Sequence, residues 1–354
     1  MKTYYFIIFL LAASFIQCFE AQAINKVKIV TIGGGFGAVY TDANRNDRTL
    51  GSFGQLNADD IRSEPQKIVD RMIEYWRREL NKVLIHTPDL ILVTEFCDDP
   101  LGLTREERTD YYKVRGNQIH DFFASMAKAN RCYIAFGTKR EDNGGWWNSI
   151  VVLDREGKVA GIYNKNYPTM GEMNGGIRAS NETPIIQCDF GTVAGALCFD
   201  LNFDELRDRY AALKPDILLF SSWWHGGLEQ GKWAYTCRSY FVCSYAFQTF
   251  RSEIRNPFGE VIATSTHNLN YAVATVNLDR QIIHQDRNLV KIVELKKKYG
   301  DKVIIADQGE IGVLMISSEH ERISAADMVK EFDIELLDNY LERAKQIRLQ
   351  QLAN

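Results

Sequence analysis

The chain has 354 residues, 42 lysines and arginines against 46 acids for a net charge of −4, and 45% hydrophobic residues. That apolar fraction excludes a disordered chain, and only 7 prolines with 25 glycines exclude collagen-like or low-complexity sequence. The slight acidity leaves no basic footprint for nucleic acid, and 7 cysteines are too few to staple a fold of this length.

Met1–Ala23 combines the positive Lys2, an apolar run from Tyr4 to Ile16 and an Ala21-Gln22-Ala23 cleavage site. This is the pattern of a secretory signal peptide, and the run is short for a membrane span. A lipoprotein signal at Cys18 fits less well, because Gln17 is not small. The expected product is secreted or periplasmic, and no later segment reads as a stable membrane span.

Val27–Ile32 reads as a buried strand, and Gly33–Leu56 as a long polar loop. Apolar spacing from Ile68 to Val83 predicts a helix over Glu64–Leu84, capped by Ser63. Leu90–Thr94 is a strand that ends at Glu95. A second amphipathic helix is expected over Tyr111–Asn130. Cys132–Gly137, Ser149–Leu153 and Val159–Tyr163 follow as strands, the last two joined by the turn Asp154-Arg155-Glu156-Gly157. Ile185–Cys188 and Val193–Leu197 form another pair. Cys198 comes next, and then a helical Phe203–Leu213. Ile217–Phe220 is a strand, Gly231–Tyr240 a helix, and Val242–Thr249, Val261–Thr264 and Ala272–Val276 strands. Helices alternate with strands but hairpins are mixed in, so the class is α/β with mixed sheets. After Asp279 two charged helical stretches, Asn288–Tyr299 and Ala325–Leu349, flank a possible strand at Gly312–Ile316. This divides the chain into 1–23, cleaved, a main domain over 24–280, and a partly helical extension over 281–354.

Some chemistry can be set aside. Gly33–Ala38 fits G-x-G-x-x-A, but no helix pattern opens there to face a pyrophosphate. The six histidines, His86, His120, His225, His267, His284 and His320, are isolated, and no C-x-x-C occurs, so no metal is expected. No cofactor is expected either. There is no G-x-S-x-G elbow for a serine nucleophile.

Three residues combine better. Glu95, Lys165 and Cys198 each sit at the carboxyl end of a predicted strand, where α/β sheets open their ligand crevice. A thiol at a strand-to-helix turn is expected to have a lowered pKa and to act as a nucleophile. A carboxylate can take its proton, and an ammonium can hold an oxyanion.

The stretches VTEFCDD around Glu95, YNKNYPTMGEMNGGI around Lys165 and DFGTVAGALCFDLNFDELR around Cys198 resemble the nitrilase, or carbon–nitrogen hydrolase, superfamily. PDILLFSSWW and Ser252–Ala263 fit as well, and the likeness runs from about Val27 to Leu278. It implies a four-layer α-β-β-α sandwich and a Glu95-Lys165-Cys198 triad. Glu172 would orient substrate and Lys165, with Glu182 the weaker alternative. It also implies a homo-oligomer. The chain departs from the family at Thr94, where a proline is usual, in the length of Gly33–Leu56, and in the tail.

The expected activity is hydrolysis of a non-peptide C–N bond in a small-molecule amide or nitrile through a Cys198 thioester. Lys165 and the Phe199 N–H would hold the oxyanion. Trp223, Trp224 and His225, just past a strand, are expected to wall the pocket. An N-carbamoyl-amine hydrolase or a nitrilase is the alternative within the superfamily; a silent binding protein is the alternative outside it. Six cysteines remain after cleavage. A free nucleophile limits them to two disulfides, and Cys97, Cys132 and Cys188 read as buried thiols.

Overall fold

A computed structural model describes residues 25–34, 64–100, 103–247 and 249–353. The signal segment, Ser63 and nearly all of the glycine-rich loop lie outside these residues. Two six-stranded sheets form the centre. The first has the order β12-β1-β2-β3-β4-β5, from Tyr271–Asn277, Lys26–Ile32, Leu90–Val93, Tyr133–Asp142, Gly145–Leu153 and Val159–Asn164. The second has the order β11-β10-β9-β8-β7-β6, from Val261–Thr264, Glu253–Arg255, Tyr240–Tyr245, Ile217–Ser222, Gly191–Leu197 and Ile186–Cys188. In each sheet a parallel core is bordered by antiparallel strands: β1, β2 and β3 in one, β7, β8 and β9 in the other.

Alternate residues of the inner strands face each other. Val27, Ile29, Leu90 and Leu92 of the first sheet pack on Val193, Leu197, Ile217 and Leu219 of the second. The opposite faces bury helices. On the first sheet lie α1 (Pro65–Leu84), α2 (Arg105–Arg115) and α3 (Gln118–Asn130), through Met72, Trp76, Tyr111 and Phe123. After the short α4 (Met170–Asn174), α5 (Asp204–Leu213) and α6 (Glu229–Cys237) cover the second sheet through Leu206, Tyr210 and Trp233. This is the four-layer α-β-β-α sandwich. Parallel strands buried on both faces must be apolar throughout, which is why LILV and ILLF read as continuous runs.

Several boundaries differ from the sequence expectation. Tyr111–Asn130 is two helices, because Gly116 at φ +44 ends the first. α6 stops at Cys237, where Arg238 takes the left-handed region, so Tyr240 belongs to β9. β9 ends at Tyr245, not Thr249. α1 has Pro65 in its first turn and no side-chain cap.

The extension is more β-rich than its charge pattern suggests. β13 (Arg280–His284), β14 (Val303–Asp307) and β15 (Val313–Ser318) form a third sheet, order β13-β15-β14. One face of it buries α7 (Leu289–Tyr299) and α8 (Ala325–Glu331). Phe258 of the main body joins Val313, Met315 and Leu337 in a separate small core. The last predicted helix is broken after Glu331 and resumes as α9 (Leu337–Leu352), of which only Leu337 is buried. Among the described residues no helix is long and apolar enough to cross a membrane.

Candidate active site

β2 and β3 are parallel, and β4 and β5 each reverse, so β5 ends at the same edge as β2. Glu95 leaves β2 and Lys165 leaves β5 at that edge. The Lys165 ammonium donates to Glu95 Oε1 at 2.9 Å and to Glu172 Oε2 at 2.9 Å. Lys165 and Glu95 are 1% and 2% exposed, so the charges meet in a poorly solvated place. Burial alone would lower the ammonium's pKa, but the charges of Glu95 and Glu172 carry it above its ordinary value. Burial likewise acts to raise the Glu172 carboxyl, and the Lys165 charge with the Thr169 N–H brings it below the usual carboxylate range.

Glu172 is placed by a capping box at the start of α4. Its carboxylate accepts the Thr169 N–H at 2.7 Å, and its own N–H donates to the Thr169 hydroxyl at 3.2 Å. Glu182 is exposed and has no part in this cluster. A residue the sequence reading missed joins the two acids. Asn148, fully buried on β4, donates through Nδ2 to Glu95 Oε1 at 2.8 Å and to Glu172 Oε1 at 2.7 Å.

The segment after Glu95 is held on several sides. Phe96 adopts φ +49, a region that costs a non-glycine residue about 1–2 kcal/mol. The Cys97 N–H donates to Gly137 O, and the Trp76 indole to Cys97 O. Arg115 donates to Asp98 at 2.7 Å, and the Thr138 hydroxyl to the same oxygen at 2.7 Å. Thr94, in place of the usual proline, turns its hydroxyl onto Ser222 O of the opposite sheet, while the Ser221 hydroxyl donates back to Val93 O. Gly137 lies so close that a Cβ there would come within 2.6 Å of Glu95 Cα. Gly137→Ala must therefore displace Glu95. Misplacement of about 1 Å can cost on the order of 10²-fold, and that loss in kcat/KM with little change in the helical CD spectrum is the expected result.

Cys198 opens a 3-10 turn, Cys198–Asn202, directly after β7, and holds φ +45. Strain of this kind persists where surrounding structure enforces it. Here Asp200 does so. Its buried carboxylate accepts the Leu197 N–H at 2.8 Å, the Tyr163 hydroxyl at 2.7 Å and the Tyr167 N–H at 2.7 Å. The turn bearing Cys198 is thereby fastened to the segment bearing Lys165. Burial pushes the Asp200 carboxyl up to about 6 against these bonds.

The Cys198 thiol does not have the lowered pKa expected from a helix terminus. Burial and the Glu95 charge push it up to about 11, against the Lys165 charge, the Ser222 hydroxyl and the Trp223 N–H. A one-turn 3-10 start supplies little dipole, and the carboxylate beside the thiol outweighs it. Cys97, Cys132, Cys188, Cys237 and Cys243 are buried thiols, and none of the six described cysteines is in a disulfide.

The expected pocket residues separate. Phe199 is 39% exposed next to Cys198. Trp223 is half-buried beside the thiol, and Trp224 is 65% exposed. His225 turns aside, stacked on Tyr245 and 3.7 Å from Glu253. Among the described residues no three His, Cys, Asp or Glu side chains cluster as a metal site would need. A thiol beside a carboxylate that can take its proton, with an ammonium and N–H donors nearby, is equipped for acyl transfer.

The comparisons bear on the fold and the family. The carbon-nitrogen hydrolase family model matches residues 61–287, well over half of the chain. No curated protein sequence matches it. Among solved structures, the C. elegans NitFhit protein is 16% identical with a TM-score of 0.55; the match covers 72% of this chain and 62% of NitFhit. An amidase from Nesterenkonia sp. is 12% identical with a TM-score of 0.56, covering 79% of this chain and 98% of the amidase. A mutant of that amidase (12% identical, TM-score 0.55, covering 77% of this chain and 97% of its own) carries the acetamide moiety of fluoroacetamide covalently on its active-site cysteine. At these identities the structures establish the fold alone. The sandwich and the family match together show that the chain belongs to the carbon-nitrogen hydrolase family of the nitrilase superfamily and is a hydrolase of carbon–nitrogen bonds.

Proposed function

We propose that the protein is an amidase that cleaves a small amide through a thioester on Cys198. The observation that carries this is the buried Glu95–Lys165–Glu172 cluster, which acts electrostatically on a half-buried thiol held at φ +45. Because burial and Glu95 keep that thiol protonated at neutral pH, its proton must leave during attack, and Glu95 is the neighbouring base. The thiolate attacks the carbonyl carbon, and Lys165 with the Phe199 N–H holds the resulting oxyanion. Glu95 returns the proton to the departing nitrogen, the C–N bond breaks, and the thioester remains. Water activated by Glu95 then hydrolyses it. General acid–base help of this kind is worth about 10²–10⁴-fold, and an oxyanion donor about 10²–10³-fold. Glu172 and Asn148 position Lys165 and Glu95.

Glu95, fixed by hydrogen bonds from both Lys165 and Asn148, can deliver a proton to the nitrogen of an amide or a nitrile alike, and the amide is proposed on the likeness to the Nesterenkonia amidase. The covalent adduct on the cysteine of the Nesterenkonia amidase supports the same chemistry. The test is ammonia release over a panel of amides, nitriles and carbamoyl compounds, with Cys198→Ala as the blank. Release from amides alone is expected, and release from carbamoyl compounds or nitriles alone contradicts it. Export through Met1–Ala23 and assembly into a homo-oligomer are parts of the same proposal. The first rests on Lys2, the apolar run and the Ala-Gln-Ala site, and the second on family resemblance.

A further inference from the structure

A row of aromatic rings starts at the reacting groups. Phe96 follows Glu95 in the chain, and its ring stands edge-on to Trp223 with centroids 6.4 Å apart. Trp223 supplies the backbone N–H that acts on the Cys198 sulfur, and its ring meets Phe247 at 5.4 Å. Trp224 extends the row, 6.3 Å from Phe247 and 5.8 Å from Phe250. Phe96, Trp223, Phe247 and Phe250 are all partly exposed. The row thus begins at the residue after Glu95, includes the residue whose backbone N–H lies against the Cys198 sulfur, and ends at the exposed Trp224. Covering such apolar area is favourable, and ligand pockets are lined in this way.

The reacting side chains have a different character. Two carboxylates, Glu95 and Glu172, face the one ammonium of Lys165, so the cluster carries one net negative charge. An acyl group ending in a carboxylate would meet that charge in a poorly solvated site, which selects against it.

We infer that the substrate is a neutral primary carboxamide whose acyl group ends in an aromatic ring or a comparably bulky apolar group, seated along Phe96, Trp223 and Phe247. This rests on the amidase reading above. In turnover the acyl carbon bonds to the Cys198 sulfur as its bond to nitrogen breaks. The thiol proton leaves with the nitrogen as ammonia. Water then splits the thioester into the free acid and the restored thiol.

The test compares ammonia release from phenylacetamide, acetamide and succinamate. One methylene in an apolar pocket changes kcat/KM by about 10–200-fold, so phenylacetamide is expected to exceed acetamide by at least about tenfold, with succinamate below both. Phe247→Ala and Trp224→Ala are each expected to reduce the phenylacetamide-to-acetamide ratio by about tenfold. Trp224 is 65% exposed, so its replacement does not open the core. Binding of the same two amides to the Cys198→Ala protein, read by tryptophan fluorescence, repeats the comparison without turnover. Acetamide equal to or better than phenylacetamide in both assays, or a ratio unmoved by either substitution, overturns the inference. Tighter binding of phenylacetamide by a protein that releases no ammonia from any amide supports the apolar subsite and overturns the amidase reading instead.

Discussion

Cys198→Ala is expected to reduce amide hydrolysis by on the order of 10⁶-fold, the scale of loss when a covalent nucleophile is removed. The fold should be retained. Alanine carries the same Cβ into the left-handed position, the thiol is only half-buried, and the Asp200 bonds that fix the turn remain. Equal unfolding midpoints for the two proteins, with ammonia release lowered by that factor, are the predicted pair of results; the remaining donors alone still leave about 10³–10⁴-fold over water. A folded variant that loses less than about 10²-fold would show that another group makes the bond to the acyl carbon.

Lys165→Met should be nearly as damaging, and for two reasons. It removes the ammonium expected to hold the oxyanion, and it leaves Glu95 and Glu172 close together without their shared counter-charge. Breaking a buried ion pair from one side typically costs about 3–5 kcal/mol, and urea denaturation should show a loss of that size at neutral pH. The pH dependence has a definite sign. In the native protein Glu172 is held below the usual carboxylate range, so its stabilisation is full above the unfolded pKa of about 4.3 and is lost as pH falls through the folded value. In the variant Glu172 loses the counter-charge that holds its pKa down and faces the Glu95 carboxylate, so acid relieves the penalty. The stability gap between the two proteins should therefore narrow as pH falls below about 5. A gap that is constant or widens with acid would mean that the lysine does not compensate these two carboxylates.

The strands that carry Glu95 and Cys198 were legible because a strand buried on both faces has to be a short apolar run that ends where the polar residue begins, whereas β5, which carries Lys165, is a half-exposed edge strand and was legible from the turn before it. The convergence of those ends was legible only through family likeness. The break at Gly116 was hidden because apolar residues continue at helical spacing on both sides of it. The third sheet was hidden by the charged residues of the flanking helices. Asn148, Asp200 and Ser222 carried no signal: a polar residue in a strand or turn looks ordinary until the partners are known. Asn148 finds its acids on two other segments of the chain, and Asp200 finds Tyr163 37 positions away. The thiol pKa was misjudged in direction because chain position reports a helix end but not burial or a carboxylate from another strand.

The central claim is that Cys198 forms the bond to the acyl carbon. The most direct test is to quench the full-length protein with acid during turnover of phenylacetamide and map the acyl mass by peptide mass spectrometry. One acyl group on the peptide containing Cys198, labile to hydroxylamine and absent from the six other cysteines, is the predicted result. Continued ammonia release with no adduct on Cys198, or with the adduct on another residue, would contradict it.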